Sequence, residues 1–210
     1  MSGNGLRFNP SAKFRDTAHN QYFFGLIELI STIRNLKMQG GLNMIEIGSY
    51  MGESTAIFAM SGIFNSIHCI DPWEGEEESN NEGNRTWEAV RTEFETNTRQ
   101  WRHGFHPKVW EYKNYSHKCH HLWPDNSVDF IYIDGNHSYE SVKQDIELYL
   151  PKLKKGGIIA GHDYKFLNID SRGNWATIDS QFPGTIKAID EVLGGVDFNF
   201  SDSSWAKVIK

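Results

Sequence analysis

The stretch Val128–Asp134, VDFIYID, constrains the fold more than any other part of the chain. It is apolar at nearly every position and lacks the alternation of a half-exposed strand. A strand of this kind is covered on both faces, as central strands of parallel sheets are. Parallel neighbours need long crossovers, usually helices, and the surrounding sequence supplies them. Leu42–Ile47 is a short apolar run that ends in a glycine turn, and a helix begins near Glu53. Ser66–Ile70 is another run, closed by Asp71. Strand, helix, strand is the order of a parallel unit.

The spacing of Phe23, Leu26, Ile27, Ile30 and Ile33 predicts a helix over Gln21–Met38, stopped by Gly40-Gly41. Residues 74–107 open on the acidic loop GEEESNNEGN, then carry Trp87, Val90 and Phe94 at helical spacing. Val109–Tyr112 reads as a strand and Ser116–Leu122 as a short helix. Val142, Ile146, Tyr149 and Leu153 form one helical stripe, and Ile158–Ala160 is a strand that runs into His162-Asp163. Residues 165–183 read as a long loop of the kind used as a lid. Gly184–Leu193 reads as a helix. Val196–Ser201 and Trp205–Ile209 read as an antiparallel pair. The expected fold is α/β: one domain over 1–210, built on a doubly wound, mostly parallel seven-stranded sheet with an antiparallel strand near the C-terminus. A loose arm, 1–20, and insertions at 74–107 and 165–183 complete it.

A net charge of -6 argues against a broad phosphate-binding surface, so no nucleic-acid partner is expected. Cys69 and Cys119 are too few for a disulfide framework and read as buried free thiols. The start, MSGNGLRFNPSAKFRD, lacks the apolar core of a secretory signal, and no apolar run approaches a membrane span. The expectation is a cytoplasmic protein with no membrane partner; a homo-oligomer is compatible with it.

The turn Glu46–Thr55, EIGSYMGEST, decides the class of ligand. A dinucleotide loop wants a glycine where this chain has Tyr50, because that glycine lets a pyrophosphate approach the backbone. Gly48 and Gly52 still allow close backbone approach, and a helix N-terminus offers N–H groups to a carboxylate. S-adenosylmethionine (SAM) suits this loop better than a nicotinamide dinucleotide, since it has a carboxylate, an ammonium and a ribose but no pyrophosphate. Glu46 is placed to face the ammonium side, directly or through water, Asp71 to accept the ribose hydroxyls, and Trp73 to lie against the adenine. Ser49 and Ser54 belong to the same loop, and Ser116, after the third strand, is a candidate for the adenine end. A tight turn with a capping aspartate is the structural alternative.

At this point the sequence resembles the class I SAM-dependent methyltransferases. EIGSYMGEST is similar to their first motif and CIDPW to their acidic second motif. VDFIYIDGNHSYESVKQDIELYLPKLKKGGIIAGHDY is similar to the family of macrocin and mycinamicin sugar O-methyltransferases and cephalosporin-hydroxylase-like proteins. The resemblance spans roughly Ile45 to Tyr164.

Asp134, His137, His162 and Asp163 carry the chemistry. Neighbouring strand ends lie about 4.8 Å apart, so two carboxylates there can share a divalent cation, and oxygen ligands favour Mg²⁺ or Mn²⁺. Methyl transfer to a hydroxyl needs an aligned acceptor and a receiver for its proton, commonly a histidine. His137, three residues after Asp134, is placed for that task. The resemblance implies that Asp134 and Asp163 are metal ligands and His137 the base. His162 stands where the metal-dependent sugar enzymes are expected to carry an acidic residue; it reads as a third ligand or as a loop-stabilising group. The structural alternative makes Asp134 a helix cap and His137 a loop anchor. His117, Cys119, His120 and His121 lack a partnering ligand pair and read as an exposed helix face. Trp87, Trp101 and Trp110 read as packing residues rather than a sugar platform. The expected activity is SAM-dependent O-methylation of a small, sugar-like hydroxyl acceptor. The alternatives are a catalytically inactive SAM-binding module and, on a related fold, a nicotinamide-dependent oxidoreductase.

Overall fold

The computed structural model describes residues 21–36, 41–74, 86–169 and 175–210. Its helices are α1 (Gln21–Asn35), α2 (Glu53–Met60), α3 (Trp87–Arg102), α4 (Ser116–Cys119), α5 (Tyr139–Tyr149) and α6 (Pro183–Leu193). Its strands are β1 (Leu42–Ile47), β2 (Phe64–Asp71), β3 (Lys108–Lys113), β4 (Val128–Ile133), β5 (Leu153–Gly161), β6 (Lys165–Ile169), β7 (Trp175–Asp179), β8 (Phe198–Asn199) and β9 (Trp205–Val208). The arm 1–20 and the acidic stretch 75–85 lie outside the described residues.

Among the described residues the main sheet has seven strands in the order β3-β2-β1-β4-β5-β9-β8. The first five are mutually parallel, and β9 runs antiparallel to β5 and β8. The expected doubly wound sheet is therefore observed. Alternate side chains of β4 enter opposite layers, which is why its sequence shows no alternation. Phe130 and Tyr132 pack with Leu29 of α1, Phe58 of α2 and Phe94 of α3. Ile131 and Ile133 pack with Val142 and Ile146 of α5 and Ile189 of α6. Strand order reverses between β1 and β4, and the C-terminal ends of these strands form the crevice where such sheets bind ligands.

Four segments depart from expectation. The helix stripe expected to reach Leu153 stops at Tyr149, and Leu150–Lys152 is a 3₁₀ turn. Pro151 is the cause, since it has no N–H and its ring collides with the preceding turn. Leu153 instead opens β5, and a register shift between Val128 and Phe130 takes up the irregularity around Gly156-Gly157. Residues 165–183 are not a structureless loop: β6 and β7 pair as an antiparallel ribbon. The ribbon is tied to the body where Leu167 N donates to Phe200 O at 3.0 Å. Within 74–107, α3 is integral rather than appended, with Val90, Phe94 and Trp101 buried in the α1–α2 layer. At the C-terminal pair, only Phe198–Asn199 of the expected first strand joins the sheet. Cys69 and Cys119 are free and buried. No helix among the described residues is long and apolar enough to cross a membrane.

Candidate active site

The crevice opens on Gly48, which leaves β1 with φ +86°. A Cβ there would lie 2.0 Å from the carbonyl oxygen of Asp134 and 2.7 Å from Cα of Gly135. Real Cβ atoms do not approach so closely, so glycine alone lets the turn after β1 touch the exit of β4. Backbone hydrogen bonds hold the contact: Asp134 N donates to Ile47 O at 2.8 Å and Gly48 N to Ile70 O at 2.9 Å. Gly52 has a different task. It caps α2 at φ +76°, and a Cβ would press on the Phe94 ring at 2.8 Å, so its missing side chain admits α3 rather than a ligand.

Glu46, at the end of β1, is fully buried behind the turn. Its Oε1 accepts Ser54 Oγ at 2.7 Å; its Oε2 accepts Ser49 Oγ at 2.9 Å, the Thr55 hydroxyl and, at 3.5 Å, Cys69 Sγ. Burial raises its pKa and those donors oppose the rise. The carboxylate ties the turn to the start of α2, and reaches a ligand only through the hydroxyls it holds. Burial likewise raises the carboxyl of Asp71, against two backbone hydrogen bonds. Asp71 Oδ2 accepts Tyr50 N at 2.9 Å and Oδ1 accepts Trp73 N at 2.7 Å. Each oxygen keeps a lone pair for a hydroxyl.

Trp73 is 2% exposed, packs against Phe94 with ring centroids 4.8 Å apart and planes tilted by 51°, and donates Nε1–H to Tyr50 O at 2.8 Å. The ring belongs to the core that backs the turn. Ser116 opens α4 and donates its hydroxyl to Asp145 Oδ1 at 2.5 Å. Tyr50, Trp73 and Asp163 all occupy positive φ, at 43°, 44° and 64°. Backbone strain in non-glycine residues gathers on this rim, where over-determined geometry is the rule for functional turns.

Across the rim, Asp134, His162 and Asp163 come together as the spacing implied. One ligand atom from each lies within 4.8 Å of the others. His137 Nε2 meets Asp163 Oδ2 at 2.8 Å, and His162 Nδ1 meets Asp163 Oδ1 at 3.0 Å. Burial pushes Asp134 up to about 6, with the Asp163 charge adding and both imidazoles subtracting. Burial acts the same way on Asp163, but hydrogen bonds from His137 and His162 win and hold it well below the usual carboxylate range. Burial lowers His162, yet the Asp163 hydrogen bond and the surrounding carboxylates carry it up to about 9. His137 is raised on the same balance, with Asp163 outweighing burial. Two carboxylates and an imidazole at this spacing fit a divalent cation in their donor chemistry.

Two contributors were invisible in the sequence. Phe182, between β7 and α6, stacks on the His137 ring at 4.1 Å. Asp202, in the β8–β9 turn, puts Oδ2 4.0 Å from His162 Nε2 with its side chain fully buried. Neither sits in a motif; the signal for each is the chain's return to the rim. The ribbon base is stapled to the site by Ser180, whose hydroxyl donates to Asp163 O at 2.7 Å. The His117–His121 segment stays apart from this cluster. Trp101 is a core residue, while Trp110 is exposed at 48%.

Comparison with known proteins bears on the fold and the family. An uncharacterised protein of Acanthamoeba polyphaga mimivirus is 27% identical over 162 residues, covering 76% of this chain and 68% of its own. An uncharacterised Sinorhizobium fredii protein is 26% identical over 127 residues, covering 57% of this chain, which spans 13% of that protein's length. Among solved structures, a calicheamicin methyltransferase matches with a TM-score of 0.59 at 15% identity, over 87% of this chain and 77% of that one. A SAM-dependent methyltransferase from Methanosarcina mazei matches at 0.52 and 16% identity, over 85% and 98%. These structural likenesses speak to the fold. The family model for a methyltransferase domain matches residues 45–164, from the middle of β1 through the acid–base cluster and more than half of the chain. The chain belongs to that methyltransferase domain family.

Proposed function

We propose that the protein transfers the methyl group of SAM to a hydroxyl oxygen of a small, sugar-like acceptor. One observation carries the reading: the Gly48 turn touches the Asp134 carbonyl, so the cofactor loop and the acid–base cluster share one rim. The loop and Asp71 hold the cofactor, with the ribose on Asp71. The acceptor enters from the side of His137, whose side chain is 39% exposed.

The His137–Asp163 pair is arranged for proton removal. A neutral imidazole that donates Nε2–H to Asp163 presents its Nδ1 lone pair as the base, and the carboxylate stabilises the imidazolium that forms. Phe182 fixes the ring plane. When bound, SAM would supply a methyl carbon to an acceptor oxygen aligned opposite the sulfur, the C–S bond breaking to leave S-adenosylhomocysteine. Asp134, Asp163 and His162 are the residues that would hold a divalent cation, Mg²⁺ or Mn²⁺. Such an ion lowers the pKa of a hydroxyl it binds.

The test is calorimetry with S-adenosylhomocysteine, followed by methyl transfer from labelled SAM across a panel of glycosides. Micromolar binding and product formation are expected; no heat with millimolar ligand defeats the proposal. His137→Ala is expected to lower turnover by about 10²–10⁴-fold with cofactor affinity kept. Titration with Mn²⁺ is expected to give a binding isotherm that Asp134→Asn abolishes; an isotherm unchanged by that substitution removes the cation from this place.

A further inference from the structure

Asp145 takes no part in the acid–base cluster, yet it is a carboxylate only 4% exposed. It lies on the inner face of α5. Its Oδ1 accepts the Ser116 hydroxyl at 2.5 Å. Its Oδ2 lies 4.0 Å from the point where a Cβ at Gly135 would sit. One helical turn further on, the Tyr149 hydroxyl donates to the Ser116 carbonyl at 2.8 Å. Helix α5 therefore holds the exit of β3, where Ser116 begins α4, and passes beside Gly135, which follows Asp134 at the exit of β4. A buried acid is costly to keep, and a hydroxyl alone is a poor reason to keep it.

The chemistry of the pair gives it a task. A serine hydroxyl has one hydrogen to give and two lone pairs to offer. A carboxylate accepts and cannot donate. Burial pushes Asp145 up to about 6, so it is ionised at pH 8. The hydrogen of Ser116 is then committed inward, and what remains for a ligand is acceptor capacity. In the sheet, β3 is the outer neighbour of β2, and Asp71 pairs with Lys113 three residues before Ser116. A ribose held on Asp71 therefore sends its base toward the β3 exit. Adenine carries a hydrogen-bond donor, the 6-amino group; hypoxanthine carries a carbonyl acceptor in the same place.

We infer that Asp145 is a positioning residue that sets cofactor specificity: by taking the Ser116 hydrogen, it makes Ser116 an acceptor for the 6-amino group of adenine. The inference rests on the SAM reading above. Asp145 touches no ligand in this arrangement and acts through Ser116. An asparagine in its place can donate its amide N–H to Ser116 Oγ, which turns the hydroxyl hydrogen toward the ligand and reverses what the site offers.

The experiment compares S-adenosylhomocysteine with S-inosylhomocysteine, its 6-carbonyl counterpart, by calorimetry at pH 8. The wild type is expected to prefer the adenosyl ligand by about tenfold or more. Asp145→Asn is expected to shrink that ratio about tenfold, with the inosyl ligand binding more tightly in absolute terms. A merely structural role weakens both ligands together and leaves the ratio alone. Ser116→Ala removes the reading group and is expected to erase the preference; it decides the matter if Asp145→Asn does not fold by circular dichroism. Tight adenosyl binding with no wild-type preference overturns the inference and spares the cofactor reading. So does a wild-type ratio retained in Ser116→Ala. A wild type that binds neither ligand overturns both.

Discussion

Single residues decide most sharply where two backbones meet. Gly48 is the clearest case, because two independent constraints act on it: a φ of +86° and a Cβ position 2.0 Å from the Asp134 carbonyl. Gly48→Ala must separate β1 from β4 at the crevice. The expected outcome is a lower unfolding free energy, by about 2–4 kcal/mol on the scale of strain plus overpacking, and loss of S-adenosylhomocysteine binding. Chemical denaturation and calorimetry check the two parts separately. His68 offers a different kind of residue-scale prediction. Its ring bridges Tyr112 Oη at 3.0 Å and Ser66 Oγ at 3.2 Å and packs edge-on to Trp123. Burial lowers it to about 4, from an ordinary value of 6.5. A depressed histidine leaves the folded state neutral while the unfolded chain takes up a proton. Stability is therefore intact above pH 6.5 and falls as pH drops from 6.5 toward 4. Replacing His68 with Phe is expected to flatten that part of the stability–pH curve, as measured by urea melts at pH 4.5 and 7.5. An unchanged slope would assign the acid sensitivity to other groups.

At the scale of elements, the helices do more than cover the sheet. Helix α3 supplies Phe94, which fills the space Gly52 leaves and packs at a tilt against Trp73. Phe94→Ala is expected to cost about 3–5 kcal/mol in a denaturant melt, and to weaken cofactor binding because Trp73 and the Tyr50 carbonyl it holds lose their backing. The sequence made this helix legible through Trp87, Val90 and Phe94, but not its integration, because periodicity shows a face without showing what the face meets. The same limit explains the ribbon β6–β7. Its β7 strand is exposed along its length, so it lacks the buried alternation by which strands are recognised. The central strand β4 was legible because burial on both faces leaves an uninterrupted apolar run. At the site, Asp134, His137, His162 and Asp163 were legible because strand ends converge by topology, whatever the loops do. Phe182 and Asp202 were not, since each arrives from a distant segment and only the folded chain shows the encounter. Glu46 and Trp73 show another limit. Their place in the sequence gives the rim, while the depth of each side chain, set by the pleat and by hydroxyl donors, shows only in the fold, where both are buried.

Among the described residues two helical layers cover the seven-stranded sheet, and the crevice is where both layers contribute to one surface. Gly48 and Asp71 extend from strands backed by α2 and α3, while Ser116 and His137 are held by α5 and α6 through Asp145, Tyr149 and Thr185. A ligand bound across that seam stabilises the fold as a unit. At a concentration about 100-fold above its dissociation constant, S-adenosylhomocysteine contributes about 2.7 kcal/mol. For a chain of 210 residues that corresponds to a rise in Tm of about 5–10 °C. The size of this shift separates enzyme from binding module when it is paired with turnover. His137 reaches Asp163 and Phe182 but none of the cofactor turn, so His137→Ala is expected to keep the full ligand-induced shift while methyl transfer collapses. Gly48→Ala is expected to lose both. If His137→Ala keeps the shift and the wild type itself transfers no methyl group across the acceptor panel, the rim binds its cofactor without using it. The imidazole–carboxylate pair is then an anchor for the ribbon base rather than a route for a proton.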